Sequence, residues 1–422
     1  MSALSDSYVV GFFGRRDYYQ VAVALAAEGR LEKLVTDAYC PDFLARHPGF
    51  LPGAIRRKVL LRRAPGLSAR CVSKPGAATL VAAEASRWFR PANQVAVDAM
   101  LGRQAARRVV DARCGAVVYG YYWQAFIEAA TSHEAFAPRL VFLSDALPSQ
   151  LRAAIQRDRG VTGSEEGKVA VELLTSGDVE HQERALLSAD GAIVPSSYIR
   201  EGLVSLGMPQ ERVKVVPYGG DLTVRPDSRR VGQAPAREGT SKRVRLLWIG
   251  QLAYRKAPHH LVAALEKFAK TDVLLTVVTH RPRGVDPFAK LPCEVQWVSD
   301  AGAADLLRLF GSNDVLVLPT LAEGFGLVYV EALHAGLPVI ATRTSGGPDV
   351  VVHRVNGLLI DGGDPSALSD AIRELVDNPE LVAQLKDGAR ATGPQWTWSR
   401  FRSQVVGAIA ELESLFHGRA TQ

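Results

Sequence analysis

DVLVLPTLAEGFGLVYVEALHAGLPVI, residues 314–340, reads as one strand–loop–helix–strand unit. Asp314-Val315-Leu316-Val317-Leu318 is a short apolar run closed by Pro319, the pattern of a strand covered on both faces. Leu327 to Ala335 has helical composition and stops at Gly336, with Pro338 just beyond, as helix ends do. Between them lies TLAEGFG, residues 320–326. Its glycines, Gly324 and Gly326, let the backbone turn tightly and come close to a ligand, and the helix that follows presents its unpaired N–H groups. A helix start at the carboxyl end of a parallel strand is a ready anion site.

Two carboxylates bracket this turn: Glu323 in the loop and Glu331 near the second turn of the helix. Taken alone, each fits a solvated charge as well as a ligand contact, so the surrounding chain has to decide. At 422 residues there is room for two to three domains. A hydrophobic content of 47% with 22% charged residues fits an ordinary globular protein and excludes disordered or fibrous designs. The net charge of +6 is mild for this length. It suits anionic small ligands or an acidic lipid surface and gives no reason to expect nucleic acid. Cys40, Cys71, Cys114 and Cys293 are far apart, with no CxxC pair, so the cysteines suggest neither a disulfide framework nor a zinc ribbon. The N-terminal apolar run is too short for a signal peptide, and no stretch of about 18 apolar residues appears. A cytoplasmic location is expected, with contact at the inner membrane face as an option.

The chain opens as β-α-β. Tyr8 to Phe13 is a strand, Asp17 is placed to cap a helix through Glu28, and Leu34 starts the next strand. Gly14-Arg15-Arg16 follows the first strand without a GxGxxG fingerprint. Arg56-Arg57-Lys58 and Arg62-Arg63 flank Val59-Leu60-Leu61, a basic amphipathic segment that is either an exposed helix face or a contact for acidic headgroups. Ala116–Tyr119 and Leu140–Leu143 are further strands. Tyr121-Tyr122-Trp123-Gln124 and Ser144-Asp145 then fall where side chains reach a cleft or pack a core. Residues 160–168, GVTGSEEGK, read as a polar lid or insertion. Residues 221–243 lack apolar periodicity and read as a linker.

Beyond it strands and helices alternate again: Arg245–Ile249, Pro258–Lys270, Val273–Thr279, Val295–Val298, Ala304–Phe310, the opening stretch, Leu358–Ile360 and Ser366–Asp377. Trp396–Phe416 is a terminal amphipathic helix needing a large apolar surface. The fold class is therefore α/β, with two doubly wound Rossmann-like domains facing across a cleft and a C-terminal helix packing back toward the first domain. The boundaries are 1–220, linker 221–243, 244–395 and terminal helix 396–422. Three loops fall at carboxyl ends of strands in the second sheet: Gly250 to Lys256, the Gly324–Gly326 turn, and Ser345-Gly346-Gly347. Their convergence, with Arg255 and Lys256 adjacent in the first, points to a diphosphate site.

With these residues in view the chain resembles a group 1 (family four) retaining glycosyltransferase of the GT-B fold. The resemblance covers nearly all of the second half and rests on the E-x7-E pattern of Glu323 and Glu331 within EGFGLVYVEALHAGLPVIAT, supported by WIGQLAYRKAP, AIVPSS with VVPYGGD, and GGPDVVVHRVNGLLI. It implies a first domain on the acceptor side and a second that binds a nucleotide-sugar donor of the UDP or GDP type. Arg255, Lys256 and Glu323 would carry catalysis: the cations hold the diphosphate, and Glu323 contacts the sugar. Gly14, Gly250, Gly324, Phe325, Gly326 and Leu327 would surround the donor, and Glu331 would accept from the ribose. Tyr122, Ser144 and Asp145 are acceptor-side candidates, and the acceptor itself would be a glycan, a lipid-linked or a small-molecule hydroxyl. No cofactor and no metal are implied, and no Asp-x-Asp pair is present to hold one.

Three departures from the family pattern stand out. Ser144-Asp145 replaces a histidine–aspartate pair, Gly14 is followed by arginines, and His280-Arg281-Pro282 replaces a glycine-rich turn that reads the base. The alternatives are a nucleotide-sugar epimerase of the same architecture and a non-catalytic nucleotide-sugar-binding protein.

Overall fold

The structure, a computed structural model, describes residues 6–12, 17–36, 39–40, 64, 66–73, 93–130, 133, 135–158, 177–221, 243–279, 286–299 and 301–420. Two parallel sheets organise them. The first contains β1 (Tyr8–Gly11), β2 (Leu31–Val35), β3 (Val72–Ser73), β4 (Gly115–Tyr119), β5 (Arg139–Phe142), β6 (Gly191–Val194) and β7 (Val213–Val215) in the order β3-β2-β1-β4-β5-β6-β7. The second contains β8 (Val244–Ile249), β9 (Val273–Val278), β10 (Glu294–Val298), β11 (Val315–Leu318), β12 (Val339–Thr342) and β13 (Gly357–Ile360) in the order β10-β9-β8-β11-β12-β13. Every residue of β4, β9, β11 and β12 is buried, because helices cover both faces of each sheet. The two domains and the doubly wound topology are thus those the sequence leads one to expect.

Both sheets reverse direction at one point. In the second sheet the chain runs outward from β8 to β9 and β10 on one side, and from β11 to β12 and β13 on the other. β8 and β11 lie side by side, with Leu247 opposite Leu316. Loops leaving their carboxyl ends diverge and open a crevice there.

The C-terminal helix, Trp398–Ala420, returns to the first domain. Its Glu413 accepts a 2.8 Å hydrogen bond from the Tyr8 hydroxyl and pairs with Arg30. Burial and the neighbouring Glu413 carboxylate push the Tyr8 phenol far above its ordinary range, so it stays a donor. Arg402 Nη1 donates to Gln20 Oε1 at 2.6 Å, and Lys214 pairs with Glu411 at 2.6 Å. At the start of the helix Trp398 and Phe401 meet Tyr218, with ring centroids 5.8 and 5.3 Å apart. Tyr218 also faces Phe325 of the second domain at 5.4 Å, so one aromatic cluster joins both domains and the terminal helix.

Two local expectations are corrected. The helix after β1 is Gln20–Ala27, and Asp17 does not cap it. Tyr18 and Tyr19 both take positive φ (53° and 61°), which turns the buried Asp17 carboxylate back to accept from Tyr19 N at 3.0 Å and from the Tyr119 hydroxyl. The helix expected over Pro258–Lys270 ends at Leu265. The next residues form turns in which Phe268 is buried, and its ring lies under the Arg373 guanidinium at 4.2 Å.

Phe401 is fully buried among Tyr218, Trp398 and Phe142. Phe401→Ala is expected to destabilise the protein by about 3–5 kcal/mol, seen as a lower urea midpoint. An unchanged midpoint would show that the terminal helix contributes no packing there.

Candidate functional site

The site grows from the crevice between β8 and β11. After β8 the chain passes through Gly250 to a short turn, Tyr254–Lys256, closed by Ala257 in a left-handed conformation with φ 48°. The Arg255 carbonyl accepts from Leu321 N and from Thr320 Oγ1, both at 2.8 Å, which stitches this basic loop to the one after β11. The loop after β12 joins them: Glu323 N donates to Thr344 O at 3.0 Å and Gly346 N to Phe325 O at 3.0 Å. Three loops that are remote in sequence therefore form one hydrogen-bonded platform.

Its charges face one another. Arg255 Nη1 donates to Glu323 Oε2 at 2.7 Å, and Lys256 Nζ donates to the same oxygen. The Glu323 side chain is only 10% exposed and that of Lys256 13%, while Arg255 is 31% exposed. Two cations against one carboxylate leave the cluster with a positive charge, in a place shielded enough for that charge to act strongly on an incoming anion.

The glycines have distinct tasks. Gly326 has φ 91°, a conformation that favours glycine, and starts the helix Leu327–His334 directly over the buried Tyr329 ring. Gly324 is where the domains touch: a Cβ there would lie 2.2 Å from Ser144 O and 2.6 Å from Asp145 Cα. The Gly324 carbonyl accepts from Ser196 Oγ of the first domain at 2.5 Å. Alongside, Asp349 accepts from Ser197 N at 3.0 Å and from Ser197 Oγ at 2.6 Å. Burial raises the Asp349 carboxyl above its usual range, against the opposing pull of these bonds.

The structure brings Arg255, Lys256 and Glu323 into direct contact and sets Ser144 and Asp145 against Gly324. Asp145 accepts from the hydroxyl of Tyr121, which is 60% exposed, and a cavity of about 110 Å³ opens here between Tyr121, Asp145, Pro148, Gln182 and Glu183. Tyr122 is buried in the core, so Tyr121 is the aromatic residue at this cavity. Gly250 directly follows β8, its N–H donating to Val278 O at 3.2 Å. Phe325 is a core side chain, leaving its backbone as the part able to meet a ligand. Leu327 is the first residue of the helix and Glu331, buried, lies one turn on. Gly14, Arg15, Arg16, the Arg56–Arg63 segment, residues 160–168 and His280-Arg281-Pro282 lie outside the described residues. Ser196, at the interface with Gly324, was announced only by its place in the AIVPSS segment.

The model of the family described as glycosyl transferases group 1 matches residues 234–392, which hold the whole basic and glycine platform. A D-inositol 3-phosphate glycosyltransferase of Saccharomonospora viridis is 29% identical over 280 residues, covering 60% of this chain and 65% of its own length. The chain thus spans just under two thirds of that curated relative. Sucrose-phosphate synthase from Thermosynechococcus elongatus has a similar structure, with TM-score 0.65 and 18% identity over 96% of this chain and 99% of its own. Anabaena HepE, in complex with UDP-glucose, has TM-score 0.58 and 16% identity over 96% of this chain and 99% of its own. These likenesses show the fold, which is the two-domain GT-B arrangement.

Gly324→Ala should force the domains apart, because its new methyl would overlap first-domain backbone and no flexible side-chain end. Solution scattering is expected to give a larger radius of gyration while the circular dichroism spectrum keeps its shape. An unchanged radius would show that the two domains do not close on this residue.

Proposed function

We propose that the protein transfers a sugar from a nucleoside-diphosphate sugar to a hydroxyl of an acceptor, with retention at the anomeric carbon. The observation that carries this reading is the Arg255–Lys256–Glu323 cluster at the switch point of the second sheet, held against the first domain. Breaking the bond between sugar and diphosphate builds positive charge on the sugar and negative charge on the departing oxygen. Arg255 and Lys256 are the groups assigned to that oxygen, and their fixed positions avoid reorganisation at the moment of reaction. Glu323, bonded to both, is placed to stabilise positive character on the sugar and bind its hydroxyls. Glu331 takes the ribose, and the backbone of Gly324 to Leu327 lies beside the phosphates at the helix start.

On the first-domain side, Tyr121, Ser144 and Asp145 are assigned to the acceptor. The ring of Tyr121 offers an apolar face for a sugar and Asp145 an acceptor for its hydroxyls. The chemical step needs no metal in this account, because two cations do the work of a metal clamp. The solved complex of HepE with UDP-glucose supports a uridine donor, while guanosine remains the other candidate. Among the described residues no helix is long and apolar enough to cross a membrane. Contact of Arg56–Arg63 with acidic headgroups would bring the protein to a lipid-linked acceptor at the inner face.

A panel of UDP- and GDP-sugars tests the reading. The true donor at about 100 times its Kd should stabilise the fold by about 2.7 kcal/mol, readily seen as a thermal shift. With that donor, Arg255→Ala or Lys256→Ala is expected to lower turnover by about 10²–10³ with the fold intact. Added Mg²⁺ should leave the wild-type rate unchanged. Near wild-type turnover in both variants would remove the assigned roles, and conversion of the donor sugar without any acceptor product would favour an epimerase.

A further inference from the structure

We propose that Asp158, His259 and His260 form a binding site for one divalent transition-metal ion, Zn²⁺ by preference, that bridges the two domains. Asp158 follows the first-domain helix Pro148–Gln156, whereas His259 and His260 open the second-domain helix Pro258–Leu265. Both rings present Nε2 to the same carboxylate: His260 Nε2 lies 2.6 Å from Asp158 Oδ1 and His259 Nε2 lies 3.1 Å from Oδ2. The three ligand atoms lie within 4.8 Å of one another.

The chemistry of this set is selective. Two imidazoles and one carboxylate suit zinc and its first-row neighbours, whereas magnesium and calcium take oxygen. With metal bonds of about 2.0–2.2 Å, tetrahedral ligand atoms stand roughly 3.4 Å apart, so the two His–Asp contacts need to lengthen by less than about 1 Å to admit an ion. Asp158 and His260 are almost wholly buried, while the His259 side chain is 24% exposed and gives a route of entry.

A supporting shell is already built. The Tyr254 hydroxyl donates to Asp158 Oδ2 at 2.9 Å and its ring stacks on His259, with centroids 4.9 Å apart at 24°. Such outer contacts fix the orientation of metal ligands and typically change affinity by 10–100-fold. Around them, Ala154 and Ile155 of the first domain pack with Ala257, Leu321 and Ala322 of the second. Tyr254 and His259 bracket Arg255 and Lys256 in the chain, so a bound ion would brace the basic loop against the first domain. The ion has no step in the sugar transfer, and the inference stands on this geometry whether or not that transfer is the activity.

The full-length protein, stripped with a chelator and dialysed, should be titrated with Zn²⁺ by calorimetry and with Co²⁺ by visible absorption. One equivalent per chain is expected, with the absorption of a tetrahedral nitrogen–oxygen site and no thiolate charge-transfer band. Asp158→Asn, His259→Ala and His260→Ala should each weaken binding at least 100-fold, and Tyr254→Phe by about 10–100-fold. His133→Ala, remote from the cluster, should bind as wild type does. His259 is partly exposed and its variant is expected to melt near the wild-type temperature, which separates loss of a ligand from loss of fold. No stoichiometric uptake by the wild type, or uptake unaffected by His259→Ala and Asp158→Asn, would overturn the proposal.

Discussion

The carboxylate of Glu323 is nine-tenths buried and shared between Arg255 and Lys256, and most of the site's architecture serves to keep it so. A charge withdrawn from water that far is tolerated only when it is paired and its partners are held in place. The pairing is fixed through the backbone. Thr320 and Leu321 hold the Arg255 carbonyl, and Thr344 and Gly346 hold the far side of the Glu323–Phe325 loop. The reversal of strand order between β8 and β11 supplies the crevice in which these loops can meet.

The same platform is where the domains join. Gly324 admits the backbone of Ser144 and Asp145, Ser196 bonds its carbonyl, and Phe325 directly beyond it enters the aromatic cluster around Tyr218. The terminal helix completes that cluster with Trp398 and Phe401 while fastening itself to the first domain through Glu413 and Arg402. Positioning of the charged groups and closure of the two domains are therefore carried by neighbouring residues of one loop. A change in either is expected to be felt by the other.

What was legible in the sequence follows from how each feature is encoded. Apolar runs such as VLVL and VLLTVV fit buried parallel strands, so the strands of the second domain are readable. Its helices are less so, as the early end at Leu265 and the helix Pro379–Thr392 show. Loops at the ends of such strands must converge on one edge, and that was enough to place Arg255, Lys256 and Glu323 together. The helix Asn93–Ala112 was not legible, because its alanines and arginines blur the apolar period. The choice between Tyr121 and Tyr122 depends on helical phase. A helix begins at Gly120 immediately after β4, so neighbouring tyrosines point in unlike directions, one to the core and one to the cavity. Asp17 carries the local signature of a cap, but two left-handed tyrosines redirect it. Asp158 meets His259 and His260 across about a hundred residues and a domain boundary. Cysteine spacing could say nothing of that cluster, and no local motif announces it.

The most direct measurement of the central claim is a crystal structure of the protein with a nucleoside diphosphate bound. The account predicts the diphosphate in contact with Arg255 and Lys256, its phosphates beside the Gly324–Leu327 backbone, and the ribose hydroxyls on Glu331. A diphosphate seated elsewhere, with Arg255 and Lys256 still bonded to Glu323 alone, would contradict it.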